Sequence, residues 1–295
     1  MYDKLIYEGQ ELDAAYFKGT PLIKATTLEP PQIDPFTALF QAGEQGFFYD
    51  PNDLSTMFQN AAGTVPVTGA EQPVGLLLDK SKSLVRGSAN LWGSINRIDA
   101  NWINNGDGTF TSNGGSGFFG ITNSAAIVGR FYEWTFEVVS RTSGNIRPQN
   151  TSGVGYAAVT NVGTHTQKAL CNSSPLLFSS YRFVGTIRPI SVREISGNHA
   201  YQTTSAMCPL LATSPQRIDY DTVDDKLITN LPAQLTGCTV IRSVPNVGTQ
   251  ILTGQTIPAS YNDNTNHCGL IVINRALTPR ETSAITAEFN KRAGV

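Results

Sequence analysis

Between residues 84 and 195 apolar and polar positions take turns. Tyr132, Trp134, Phe136 and Val138 alternate with Glu133, Thr135 and Glu137, the pattern of one half-buried strand. Tyr181, Phe183, Gly185 and Ile187 alternate in the same way. The phase then slips by one residue to Ile190 and Val192. Pro189 stands at the slip, which predicts a bulge or an edge position. Trp102-Ile103 and Thr109-Phe110-Thr111 flank Asn104-Asn105-Gly106-Asp107-Gly108, a glycine-rich hairpin turn. Strands at this spacing, parted by Gly, Ser and Asn turns and with no helical stretch among them, predict a β-sandwich, jelly-roll-like in kind, over 84–195.

The period changes on either side of that unit. Phe36, Leu39 and Phe40 recur at helical spacing, with Gly43 to close the turn. Asp53 is placed to cap a second short helix carrying Leu54, Met57, Phe58 and Ala61 on one face, with Gly63 as its stop. Val74-Gly75-Leu76-Leu77-Leu78-Asp79 follows as a buried strand or turn. Residues 35–83 therefore read as a small helical shoulder. Residues 196–217, rich in Ser, Thr, Gly and Pro, read as a connector. In 218–295, Cys238-Thr239-Val240-Ile241 and Gly269-Leu270-Ile271-Val272-Ile273 predict short buried strands. A C-terminal helix follows with Thr278 as N-cap, Pro279 at N1 and Glu281 at N3, a capping box. Its apolar side carries Ala284, Ile285 and Phe289, its last turn Lys291 and Arg292, and Gly294 stops it.

Residues 1–34 carry an internal echo. Tyr7, Gly9 and Leu12 recur ten residues on as Phe17, Gly19 and Leu22, with Tyr16 beside them. Each copy predicts a short strand with glycine at its bend. A unit this small cannot bury an apolar face alone, so Tyr7, Tyr16 and Phe17 are expected to be covered from outside it. Glu29-Pro30-Pro31-Gln32-Ile33-Asp34-Pro35 closes this arm as an extended strap. The fold class is thus mainly β: a β-repeat arm, a helical shoulder, β-sandwich units and one C-terminal helix.

Net charge is −2, and only 15% of residues are charged. Neither value asks for nucleic acid or an acidic membrane as partner. No apolar run approaches the length of a membrane helix, and the start Met1-Tyr2-Asp3-Lys4 has no signal-peptide core. The four cysteines, at 171, 208, 238 and 268, form no C-x-x-C pair and are expected as buried thiols.

Gly43-Glu44-Gln45-Gly46-Phe47-Phe48-Tyr49-Asp50-Pro51, Asp53-Leu54-Ser55-Thr56-Met57-Phe58-Gln59, Ser196-Gly197-Asn198-His199-Ala200 and Asp219-Tyr220-Asp221-Thr222-Val223-Asp224-Asp225 resemble stretches of structural proteins of tailed bacteriophages and prophages. Ile273-Asn274-Arg275-Ala276-Leu277-Thr278 and its helix look like the close of lectin-like modules of the concanavalin/laminin-G sort, and the arm is similar to repeats of tail-tip and fibre proteins. The closing unit is short for a complete sandwich of that kind, so it is a reduced module or completes a sheet begun elsewhere. The resemblance implies a virion component assembled in the host cytoplasm: a tail fibre, tail appendage or baseplate part that contacts host surface polysaccharide. Its partners would be other phage structural proteins and its own copies, as a homotrimer or higher oligomer. The alternatives are a capsid decoration or head-fibre protein and, third, a polysaccharide depolymerase.

Candidate chemistry is sparse. Asp221, Asp224 and Asp225, with Asp219, are the densest acidic cluster. They suit either calcium or, more simply, turn formation, and the EF-hand spacing is absent. Trp92 and Trp102 flank polar loops and are the candidates for stacking on a sugar face, whereas Trp134 sits in the apolar register of its strand. The histidines, at 165, 199 and 267, lie far apart and suggest no zinc site. His267 and Cys268, adjacent on a strand, would face opposite ways. Glu133 and Glu137 share a face at a spacing too long for a glycosidase pair. No cofactor, metal or catalytic residue is assigned, and a non-enzymatic role is expected.

Overall fold

The computed structural model describes residues 5–7, 10–17, 20–24, 35–149, 156–171 and 173–295. The chain divides into two compact units at Asp34/Pro35. The first is an antiparallel leaf of β1 (Leu5–Tyr7), β2 (Gln10–Phe17) and β3 (Thr20–Lys24). Tyr7 lies opposite Gln10 and Phe17 opposite Thr20, so each reversal leaves two residues between paired positions. Both reversals thus fall where the echo repeats. Gly9 and Gly19 lie outside the described residues, as do the strap and the side chains of Tyr7, Leu12, Tyr16, Phe17 and Leu22.

The second unit opens with the short helix α1 (Pro35–Ala38), β4 (Gly46–Tyr49), β5 (Met57–Phe58) and β6 (Leu76–Leu77). Next come β7 (Arg97–Ile98), β8 (Trp102–Asn104), β9 (Phe110–Asn113), β10 (Gly117–Ile121), β11 (Phe131–Gln149), β12 (Gly163–Leu170) and β13 (Leu176–Glu194). The last stretch holds β14 (Ala200–Tyr201), β15 (Leu210–Ala212), β16 (Arg217–Asp219), β17 (Leu227–Asn230), β18 (Leu235–Val244), β19 (Gly248–Ile257), β20 (Ser260–Asp263), β21 (Leu270–Ile273) and α2 (Pro279–Ala293). The fold is mainly β.

Two sheets face each other across the main core. One has the order β19-β18-β21-β4, the other β20-β17-β14-β6-β5. The first and last parts of the body therefore share both sheets: β4 pairs with β21, and β6 with β14. The strands that 218–295 lacks as a separate sandwich come from the 46–77 stretch. Phe47, Tyr49, Leu77, Leu227, Val240, Leu270 and Val272 fill the space between the sheets.

The alternate positions of the same strands serve another layer. Phe48, Ile241, Ile271 and Ile273 point away from that core and meet Phe36, Leu39, Ile285 and Phe289 from the two helices. This explains why β4 and β21 read as unbroken apolar runs, since both faces are buried. Burying a large aliphatic or aromatic side chain is worth about 1.5–3 kcal/mol each, so this layer fixes α2 firmly. The helix is capped as its sequence predicts: Thr278 Oγ1 accepts from Glu281 N–H, the Glu281 carboxylate accepts from Thr278 N–H, and Gly294 closes it with φ 84°.

Residues 84–195 form a seven-stranded antiparallel sheet bent over its own core. β11 and β13 pair along their length, with register shifts between Thr135 and Phe136 and again between Val138 and Asn145. Such irregularities bend and twist a strand. At the bend Gly144 has φ 72°, and a Cβ there would lie 2.1 Å from the Arg182 carbonyl oxygen, so only glycine fits. Trp134 and Phe136 from one arm of the bend meet Ile146 and Phe178 from the other, with ring centres 5.5 and 5.0 Å from Phe178. The first shift sits opposite Pro189, where the sequence phase slips, and leaves Ile190 exposed. Tyr181, expected inside, is 57% exposed because Arg182 beside it takes φ 50°.

Two sequence expectations change at the shoulder. Only a 3-10 turn, Leu54–Thr56, follows Asp53, although the Asp53 carboxylate does accept from Ser55 N–H as a cap. Met57 and Phe58 then enter the sheet as β5 instead of continuing a helix. Their side chains serve opposite layers, Met57 the main core and Phe58 the seam against the bent sheet, where Leu76, Phe131 and Ile195 meet it. Two-sided burial selects the period of two over the helical one.

Candidate functional site

The loops at one end of the two-sheet body surround an open depression of about 670 Å³. Four segments build it: the β15–β16 turn with the first residue of β16 (Ser214, Arg217), the loop after β16 (Thr222), the last residue of β18 with the turn that follows (Val244, Pro245, Asn246) and the β20–β21 loop (Asn264, Thr265, Asn266). Three of its residues hold left-handed backbone without being glycine: Ser214 (φ 66°), Thr222 (φ 65°) and Asn246 (φ 58°). For a β-branched residue such as Thr222 this conformation is costly and persists only where neighbours impose it.

The neighbours are visible. Asp221 Oδ1 accepts from the N–H groups of Val223, Asp224 and Asp225, and Asp225 Oδ2 accepts from Asp221 N–H. These hydrogen bonds hold the Asp221 carboxyl below its ordinary value, the bond from Val223 foremost. The acidic cluster is thus a self-capped turn. Asp221, Asp224 and Asp225 do come within 4.8 Å of one another, and Asp221 Oδ1 and Asp225 Oδ2 are already used in accepting backbone N–H bonds. Asp219 lies apart from them, accepting from Arg217 Nε at 3.0 Å and from Asn266 Nδ2 at 2.7 Å.

Beneath the depression is a buried polar group. Tyr220 donates its hydroxyl to Asp263 Oδ2 at 2.7 Å, and His267 donates Nε2–H to the same oxygen at 2.8 Å. Arg242 stands 3.9 Å from Oδ1. Burial pushes the Asp263 carboxyl upward, but His267, Tyr220 and Arg242 outweigh it and hold it below the usual carboxylate range. Burial and the Asp263 charge push the Tyr220 hydroxyl far up. Asp263 and His267 bracket the β20–β21 loop, so this cluster clamps both its ends. Asn266 is fixed as well: its Oδ1 accepts from Tyr220 N–H at 2.7 Å.

No protein-family model, curated protein or solved structure matches this chain. Site assignment therefore rests on geometry.

The tryptophans lie elsewhere. Trp102 is 4% exposed and packs on Phe119 with ring centres 4.5 Å apart. Trp92 is half-buried, edge-on to Phe178 at 5.4 Å and Phe119 at 6.2 Å. Trp102 is spent on the aromatic core of the bent sheet and has no free face for a sugar, whereas Trp92 packs against that core and keeps part of its surface exposed. Glu133 and Glu137 are each paired, with Arg86 and Arg188 respectively. His267 is committed to Asp263, and the four cysteines are free thiols, all buried. Burial pushes each thiol up, away from the reactive thiolate. Among the described residues no helix is long and apolar enough to cross a membrane.

Sequence reasoning placed chemistry in the Asp219–Asp225 stretch but missed Asn246, Asn264 and Thr265. The signal available was two runs of turn-forming residues, Pro245-Asn246 and Asn264-Thr265-Asn266, between apolar segments. What was invisible is that loops some twenty to fifty residues apart converge at one end of the body.

Proposed function

We propose that this chain is a non-enzymatic structural and attachment component of a tailed-phage particle, of the tail fibre, tail appendage or baseplate type. The leaf at the N-terminal end joins it to neighbouring subunits, and the body presents its loop end outward. The supporting observation is the contrast between the two units. In the leaf, β1 and β3 are both edge strands of a three-stranded sheet, and edges of this kind are templates for further strands. The body, by contrast, closes its own cores between stacked layers and ties them with ion pairs. Arg292, for example, binds Asp50 at 2.6 Å and lies over the Phe36 ring at 4.5 Å. A sheet of three short strands stands at the lower limit of independent stability, and obligate interfaces commonly bury more than about 2,000 Å².

The test is deletion of residues 1–34 with the remaining chain supplied to assembling particles. The truncated protein is expected to fold, to run as a monomer by light scattering where the full chain is oligomeric, and to be missing from purified particles. Normal incorporation of the truncated protein refutes the assignment. Particle density showing the full chain on the capsid, not on the tail, favours a decoration role instead, and release of reducing sugar from polysaccharide would establish an enzyme.

A further inference from the structure

We infer that the loop-end depression binds a neutral saccharide, held by the side chains of Asn246, Asn264, Ser214, Thr222 and Thr265 with Val244 and Pro245 as an apolar platform. The inference rests on the attachment reading only for where such a ligand would be met.

The polar groups fall into two sets. Arg217 and Asn266 are occupied. Arg217 donates to Asp219 and, through one terminal nitrogen, to the carbonyls of Thr213 and Pro215 at 3.4 and 3.3 Å. Asn266 is held by Tyr220 and Asp219. These two shape the wall. The Asn246 carboxamide and the hydroxyls of Ser214 and Thr222 have no hydrogen-bond partner among the described residues. Asn264 and Thr265 share one long contact of 3.5 Å. The available groups are all uncharged, and a carboxamide donates through its nitrogen and accepts through its oxygen. Sugars present hydroxyls that likewise do both, over faces of weakly apolar C–H. Free carboxamides and hydroxyls around a Pro and Val platform match that duality.

The charge balance selects among sugars. The one guanidinium lining the depression among the described residues, Arg217, is neutralised by Asp219, while Asp221, Asp224 and Asp225 crowd the adjoining loop, with Asp221 and Asp224 exposed. An anionic ligand such as a uronic or sialic acid, or a phosphate, meets repulsion without a free cation to offset it. The volume lies within the range of small-ligand sites. Rigidity is supplied beforehand at two of the four segments: the Asp221 turn holds the loop after β16, and the Asn266 bonds and the Asp263 clamp hold the β20–β21 loop, so less loop ordering remains to be lost on binding.

The test titrates the intact chain with neutral probes (the methyl glycosides of glucose, galactose, mannose and rhamnose, with N-acetylglucosamine and lactose) by saturation-transfer NMR and calorimetry. Glucuronic and sialic acid serve as the charged comparison. At least one neutral probe is expected to bind saturably at millimolar concentration. Asn246→Gly removes the carboxamide while tolerating the left-handed backbone, and Asn264→Ala removes the second. Each is expected to weaken binding by about three- to tenfold, the worth of one neutral hydrogen bond, with thermal stability unchanged. Trp102→Phe is expected to leave binding as it was. The inference is overturned if no neutral probe binds, if both Asn variants bind like the parent, or if the acidic sugars bind more tightly than neutral ones. Failure here with arm deletion still blocking incorporation leaves the attachment reading standing; sugar binding by a protein whose arm proves dispensable does the reverse.

Discussion

Asp79 and His199 form a buried pair whose titrations run in opposite directions. The Asp79 carboxylate is fully enclosed and accepts four hydrogen bonds: Oδ1 from the N–H groups of Phe48 and Ser81, Oδ2 from the Ser81 hydroxyl and the Asn198 N–H. Asp79 in turn donates its own N–H to His199 Nδ1 at 2.9 Å, and His199 donates Nε2–H to the Ile195 carbonyl. Burial pushes the Asp79 carboxyl from 3.8 up to about 6 despite its donors, and burial pushes the His199 imidazole from 6.5 down to about 4. For Asp79 the folded state holds the proton more tightly, so its contribution is present below about pH 4 and is lost as pH rises to 6, about 3 kcal/mol in all. For His199 the unfolded state holds the proton more tightly. Its contribution is present above about pH 6.5 and is lost as pH falls to 4, again about 3 kcal/mol. The two slopes overlap and nearly cancel. Carboxyls held low, such as Asp263 and Glu281, lose their contribution only below about pH 4.5 and stay outside the window. The parent protein should therefore show nearly flat stability between pH 4.5 and 6 when unfolded with urea at a series of pH values. His199→Gln should lose stability with rising pH at about 1.4 kcal/mol per unit, and Asp79→Asn should gain it at about the same rate. Each variant lowers stability at every pH; the sign of the slope is the readout. If both variants keep the parent's flat profile, the pair does not titrate in opposition and the reasoning is wrong.

Two further outcomes test the packing. Phe289→Ala removes the ring that joins α2 to Phe36, 5.0 Å away, and to the Ile271 and Ile273 face; it should cost about 3–5 kcal/mol, and a thermal-denaturation loss below about 1 kcal/mol would contradict the helix layer. Trp102→Phe opens a cavity but also removes a buried Nε1–H that finds no acceptor among the described residues; the two effects, each about 1 kcal/mol, oppose, so calorimetry should place this variant within about 1 kcal/mol of the parent.

Local signals were legible where one residue type answers one local demand. The capping box at Thr278 and Glu281, the stop at Gly294 and the bulge at Pro189 are set within a few residues, and the structure repeats them. The helix expected after Asp53 was misread because Met57 and Phe58 answer to two different layers, information carried by strands some twenty residues away and by the bent sheet. The same limit hid the site. Asn246 and Asn264 are ordinary turn residues until β18 and β20 carry them to one end of the body. Trp102 pointed the other way: beside a polar loop in sequence, it is drawn into the aromatic core because an indole buries more surface than an Asn-rich turn can cover.

The bent sheet leaves the body after β6 and returns before β14, and those strands are partners, with Leu77 opposite Ala200. Its entry and exit are hydrogen-bonded side by side, Gly87 N–H to the Glu194 carbonyl and Ser196 N–H to the Val85 carbonyl. More than a hundred residues thus hang from a stem no wider than a hairpin. A cassette mounted in this way can be exchanged for another, or reduced to a turn, while the host sheets keep their register; the surface it leaves behind, Phe58, Leu76, Leu78, Tyr201 and the His199 ring, is what a replacement must cover.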